Sequence, residues 1–129
     1  MSYWYLASPY SHPDAKLREL RFHAAMSATA WLIRQRKWTY SPIVHCHELA
    51  SKHGLPTDAA FWGDYDLEML SAADGMFVLL IDGWKASQGM KHEIIWAIEH
   101  EKEIIEVLPD DADDMRIPWK FGTGKYFIR

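Results

Sequence analysis

Three clusters of residues have the types and spacing to do chemistry. In Asp82-Gly-Trp-Lys-Ala-Ser87-Gln-Gly89-Met-Lys-His-Glu93, a serine and a glycine stand where a helix begins, and a glutamate follows six residues after the serine. Free backbone N–H groups at a helix start attract anions, and a glycine lets a ligand approach the backbone. Six residues is about one and two-thirds helical turns, and Glu93 could project into the same cleft as Ser87. It could equally be a carboxylate on the solvated face of an amphipathic helix. The second cluster is Asp64-Tyr65-Asp66 in FWGDYDLEML. Two carboxylates near a helix start complement its dipole; alternatively, one enters a cleft and handles a proton or the edge of a base. The third cluster is IVHCHELASKH, with His45, His47, His53 and Cys46. A metal there would need a further ligand such as Asp64, and no HExxH or cysteine pair is present, so no metal is expected. His45 is expected to line the cleft or bond the loop backbone, and Cys46 to be structural. The glycine-rich dinucleotide and P-loop signatures and the GxSxG elbow are all missing.

Regular elements must hold these groups. Tyr3 to Ala7 (YWYLA) is apolar without alternation, as in a strand covered on both faces, and Ser8-Pro9 ends it. Ser11 or His12 is expected to cap a helix running to about Arg36, with Pro13 in its first turn and Asp14 complementing the dipole. Leu17, Leu20, Ala24, Ala28, Trp31 and Leu32 give that helix one apolar stripe. Trp38 to Ser41 reads as a second strand. Residues 43–58 read as a less regular, His-bearing loop with a short helix near 46–52 and Gly54 past its end. A helix from about Asp58 to Ala72, a strand from Met76 to Ile81 and a helix from Ser87 to about Glu101 follow. Glu103 to Leu108 is a fourth strand. Pro109 to Asp114 is expected to be a solvated acidic loop, and the apolar tail IPWKFGTGKYFI must dock on something. This order predicts a single α/β domain over residues 1–129, with three layers and a mostly parallel sheet of four or five strands. Ligands in such folds bind at the carboxyl ends of the strands. The site should then come from Ser8 to His12, Pro42 to His47 and Asp82 to Ser87.

Composition narrows the partners. With 129 residues, 49% hydrophobic and 25% charged, the chain can bury one core without a disulfide or metal. A net charge of -4 argues against a nucleic-acid polymer as partner. No apolar run approaches the ~18 residues of a membrane span. MSYWYLASPY has no basic n-region and does not read as a signal peptide. One cysteine suits a reducing compartment, and a cytoplasmic protein is expected. Aromatic residues make up 14%; most fill the core, but a few could stack on a flat ligand. The apolar tail and many tryptophans leave surface to hide, so a homo-oligomer, dimer or higher, is expected.

Tyr5-Leu-Ala-Ser-Pro-Tyr10, a long helix, Ser41-Pro42, Asp66 eight residues before Asp74, and Ser87-x-Gly89-x-x-x-Glu93 occur in that order. Over roughly residues 3 to 108 this pattern resembles the nucleoside 2-deoxyribosyltransferase superfamily, and within it a small bacterial and phage family of uncharacterised domains. The resemblance implies a flavodoxin-like or Rossmann-like α/β fold. It implies cleavage or exchange of the N-glycosidic bond of a small-molecule nucleoside or nucleotide, with no cofactor. By the same resemblance Glu93 is the nucleophile, Tyr5 orients it, and Asp66 sits near base and sugar. The superfamily's deoxynucleoside monophosphate N-glycosidases carry a serine at the position of Ser87, where it contacts phosphate, so a 5′-monophosphate and hydrolysis are expected. Their loop arginine is missing here. Phosphate binding would rest on Ser8, Ser11, Ser87, Gly89 and helix amides. Trp62, Trp84 or Tyr10 would stack on the base, and His45 and Asp82 complete the expected contacts. Glu93 would form a covalent glycosyl-enzyme, with Asp66, or else His45, serving the leaving base. Two other classes fit the sequence: a catalytically silent nucleotide-binding module, and a small metal-dependent hydrolase using His45, His47 and His53.

Overall fold

The continuous apolar runs become the centre of a sheet covered on both faces. The computed structural model describes residues 2–110 and 118–126. Its elements are β1 (Trp4–Ala7), α1 (Ala15–Arg34), β2 (Thr39–Tyr40), α2 (Pro42–His53), α3 (Ala59–Ala72), β3 (Gly75–Leu79), α4 (Gln88–Glu99), β4 (Glu103–Pro109) and β5 (Trp119–Phe121). The strands lie in the order β2-β1-β3-β4-β5; the first four are parallel, and β5 runs antiparallel to β4.

Successive side chains of a strand point to opposite faces. Tyr5 and Ala7 pack with Met76 and Val78 against Leu70 of α3 and Met90, Ile94 and Ala97 of α4. Leu6, Phe77, Leu79 and Val107 face the other way, onto Ala28 and Leu32 of α1. The result is one three-layer α/β domain. α2 packs beside α1 through Ile43, against Phe22, Ala25 and Tyr10. β1 and β3 pair in parallel from Trp4 opposite Gly75 to Ala7 opposite Val78, so the segments that follow them leave from the same edge.

The structure departs from the sequence reading in several places. Residues 43–58 are mostly helix rather than loop: α2 begins at Pro42 and runs to His53. Ser41 caps it by accepting from the Val44 N–H at 3.1 Å, and proline in the first turn has its φ already set for a helix. Gly54 ends it at φ 68, a conformation glycine adopts without strain. α1 is capped by Asp14, which accepts from Lys16 N at 2.9 Å, rather than by Ser11 or His12. Asp64 and Asp66 sit mid-helix in α3, and the N-terminal role falls to Asp58, which accepts from Phe61 N at 2.8 Å. In the acidic run, residues 111–114 lie outside the described residues. No described helix is long and apolar enough to cross a membrane.

The tail docks in two ways. β5 extends the sheet, and beyond it Glu106, 2% exposed, accepts from Gly124 N at 3.2 Å and Tyr126 N at 2.7 Å. Two hydrogen bonds to one carboxylate are together worth roughly 3 kcal/mol. Glu106→Ala is therefore expected to destabilise the domain by about that amount in urea denaturation and to remove hydrogen-exchange protection at the Tyr126 amide. Unchanged protection would show that the tail is held by other contacts.

Candidate functional site

The chain leaves β1 at Ser8 and re-enters the helical layer through α4, and the gap between these segments is a cavity of about 270 Å³. Ser8, Tyr10 and Ser11 line it from the β1 side, and Pro42, Ile43 and Cys46 from α2. Thr57, Asp58, Trp62 and Asp66 line it from α3 and its approach, and Ala86 to Met90 with Glu93 from α4 and its approach. Asp66, Gln88, Gly89 and Glu93 also line a second, more open hollow of about 460 Å³, shared with Ala60, Gly63, Asp64, Leu67 and His92.

At the junction of the two spaces is a hydrogen bond between a strand and a helix. The fully buried Tyr5 donates its hydroxyl proton to Glu93 Oε2. Burial first, and then the charges of Glu93 and Asp66, push the Tyr5 hydroxyl well above its ordinary value, so it stays a donor. Glu93 is half-buried where it faces the cavity. Its carboxyl is pushed up to about 8, by burial first and by the Asp66 charge, with the Tyr5 hydrogen bond pulling the other way. Burial pushes Asp66 up to about 6.

The opposite wall offers donors. Ser87 caps α4 by accepting from Met90 N at 3.2 Å, which leaves its own O–H to donate. The first N–H groups of a helix lack intrahelical partners and favour an anion. Ser8 is 6% exposed, and its Oγ has no hydrogen-bond partner among the described residues. A buried unpaired hydroxyl is costly unless a ligand or water serves it. No lysine or arginine is among the residues lining the cavity.

A third arrangement fixes Tyr10. Its hydroxyl lies 2.7 Å from His47 Nδ1, and His47 Nε2 lies 2.7 Å from Glu19 Oε2. A carboxylate accepts only, so Nε2 carries the proton and Nδ1 accepts from Tyr10. Phe22 stacks on the His47 ring at 4.2 Å. Burial pushes the Cys46 thiol up to about 12, so it remains protonated near neutral pH.

Of the residues singled out from sequence, Ser8, Tyr10, Ser11, Trp62, Asp66, Ser87, Gly89 and Glu93 line one cavity, and Tyr5 reaches it through Glu93. His45, Asp82 and Trp84 lie outside it. On α2, His45 is two residues, or about 200° of rotation, from both Ile43 and His47, so it points outward. It is exposed, with Nε2 2.9 Å from the Tyr65 hydroxyl. Asp82 and Trp84 line a separate hollow with Gly83 and Lys85, and the Trp84 ring meets Tyr126 at 5.2 Å. Among the described residues, no group of three His, Cys, Asp or Glu side chains could hold a metal ion. Sequence reasoning did not pick out Ile43, Cys46 and His47 as one face; their spacing of three and four marks it once α2 is taken to start at Pro42. Thr57, Asp58, Gln88 and Met90 carried no such signal.

A family model described as a domain of unknown function, DUF1937, matches residues 2–108, and the chain belongs to that family. No curated protein matches it.

The carboxyl of Glu93 has a consequence for stability. The unfolded chain releases this proton near its ordinary value of 4.5, whereas the fold holds it up to about 8. Burial is thus free of charge cost at pH 4, and the cost accumulates as pH rises from 4.5 to about 8. Glu93→Gln is expected to match the parent at pH 4 and to exceed it by on the order of 2 kcal/mol at pH 8. Urea denaturation at the two pH values measures this; a variant less stable at pH 8 would mean that the carboxylate is well solvated or paired.

Proposed function

We propose that this member of the DUF1937 family is an N-glycosidase or glycosyl transferase. It acts on a nucleoside 5′-monophosphate or nucleoside through a covalent intermediate on Glu93. The observation that carries this reading is the buried Tyr5 hydroxyl fixing one oxygen of Glu93, with the carboxylate lining a cavity large enough for a sugar and its substituents. The order of motifs resembling the nucleoside 2-deoxyribosyltransferase superfamily supports the same assignment. So do the serine hydroxyls and helix amides opposite, which suit a phosphate without a cation.

In the first step, ionised Glu93 bonds to the anomeric carbon as the bond from that carbon to the base nitrogen breaks. The electron pair leaves with the base, which takes a proton from Asp66. The transition state is oxocarbenium-like, and the carboxylate in front of it stabilises its charge. In the second step, water gives its proton to Asp66 and its oxygen to the anomeric carbon, Glu93 departs, and configuration is retained. A second base in place of water completes a transfer. A single observation favours the rival reading, a silent nucleotide-binding module: burial holds Glu93 largely protonated at neutral pH.

Chromatography of a panel of nucleotides separates the two readings. The proposed enzyme releases free base, Glu93→Ala abolishes that release while the fold survives, and no release from any member would leave only the binding module. The pH dependence follows from the two carboxyls. Glu93 must lose its proton, raised to about 8, and Asp66 must keep its own, raised to about 6, so kcat/KM is expected to be bell-shaped between these values. In Asp66→Asn the falling limb disappears, and the residual rate climbs with pH through about 8. A profile flat from pH 5 to 9 would contradict this assignment of roles.

We propose further that the protein is a cytoplasmic homo-oligomer. Ile95 and Ile98 of α4 and Phe61 of α3 are exposed apolar surface that a second copy could cover. Light scattering at micromolar concentration is expected to give at least twice the chain mass; the mass of one chain would refute it.

A further inference from the structure

We infer that the open hollow beside α3 is the lobe that receives the heterocyclic base, and that Gly63 sets its clearance; this rests on the N-glycosidase reading. Gly63 stands inside α3, four residues after its first residue, where a glycine weakens a helix relative to alanine. Packing gives no reason for it, because a Cβ built there meets nothing within 4 Å. What it does face is the hollow. With Ala60 one turn earlier, it leaves a gap in the α3 wall of the hollow between the side chains of Asp64, Asp66 and Leu67.

The chemistry then apportions the two spaces. In a displacement at the anomeric carbon, the base departs on the side opposite the attacking carboxylate, and the 5′ substituent extends sideways from the sugar. Glu93 lines both spaces, so a sugar over it sends its two ends into different lobes. The less open lobe alone holds the unpaired Ser8 hydroxyl and the Ser87 cap, which suits the anionic end, while the first residues of α4 border both lobes. Each lobe has three carboxylates, Asp66 and Glu93 in common with Asp58 in one and Asp64 in the other, and neither has lysine or arginine among its lining residues, so the hydroxyls of Ser8, Ser11 and Ser87 are what set the first lobe apart for a phosphate. Asp64, Gln88 and His92 instead supply acceptors and donors for the edge of an uncharged ring.

Gly63→Leu tests this without threatening the fold, since leucine favours helix and the space around the position is empty. The variant is expected to melt at or above the parent's temperature. Its kcat/KM should fall by roughly 100-fold or more for purine nucleotides and less than tenfold for pyrimidine nucleotides. Binding of ribose 5-phosphate or 2-deoxyribose 5-phosphate, read by calorimetry, should not change, and Gly63→Ala should lie between. Equal losses for purines, pyrimidines and the sugar phosphates, or no loss for any, would overturn the base lobe while leaving the N-glycosidase reading intact. Failure of the parent enzyme to release any base would overturn both.

Discussion

A single hydrogen bond, from the Tyr5 hydroxyl to Glu93, ties the centre of the sheet to the helix that borders the cavity. It requires β1 to be interior, because an edge strand would leave the tyrosine wet and mobile. It requires α4 to lie along the face that Tyr5 and Ala7 present. It also requires the crossover after β3 to begin at the same edge as the segment after β1, which the parallel pairing of these strands provides. The burial that makes Tyr5 a fixed donor is the burial that strips water from Glu93. Orientation and desolvation of the carboxylate therefore cannot be tuned separately.

The cavity gathers Asp58, Asp66 and Glu93 with no lysine or arginine to neutralise them. Burial in such a space favours protonated carboxyls and raises both Asp66 and Glu93, with the Asp66 charge adding to the effect on Glu93. A bound sugar acquiring positive charge would complement the ionised form at the moment of reaction, when the interaction has catalytic value. An anionic end would have to be met by hydroxyls and amide dipoles alone. Ser8 and Ser87 are two hydroxyls of this cavity, one without a partner among the described residues and the other holding its helix start in place.

Much of this was legible in the sequence. The unalternating runs YWYLA and MFVLLI suited strands covered on both faces, and the layer order followed from their alternation with helices. Ser87 was legible as the cap of α4 and Glu93 as a carboxylate on the same helix, and the fold brings both to one cavity. The Ser41-Pro42 pair was an equally good start signal. The three histidines after it suggested a ligand-bearing loop, whereas helical periodicity sends His45 outward and His47 inward. Distance in sequence hid other features. Nothing near Glu106 announces that it holds residues near 124, and the Tyr10–His47–Glu19 chain joins three segments that only the packing of α2 on α1 brings together. Trp84, in the Asp82 to Ser87 loop, was expected to stack on the base, but the turn through Gly83, at φ 94, carries it to the tail instead.

The two borders of the sheet are its shortest members: β2 has two residues and β5 has three. A growing ladder needs a row of unpaired amides and carbonyls, and neither border supplies more than a fragment of one. Recruitment of foreign strands is thereby discouraged, as is runaway fibril growth from the apolar interior strands. Among the described residues, the exposed apolar side chains Phe61, Ile95 and Ile98 lie instead on the outer helical layers, away from both borders.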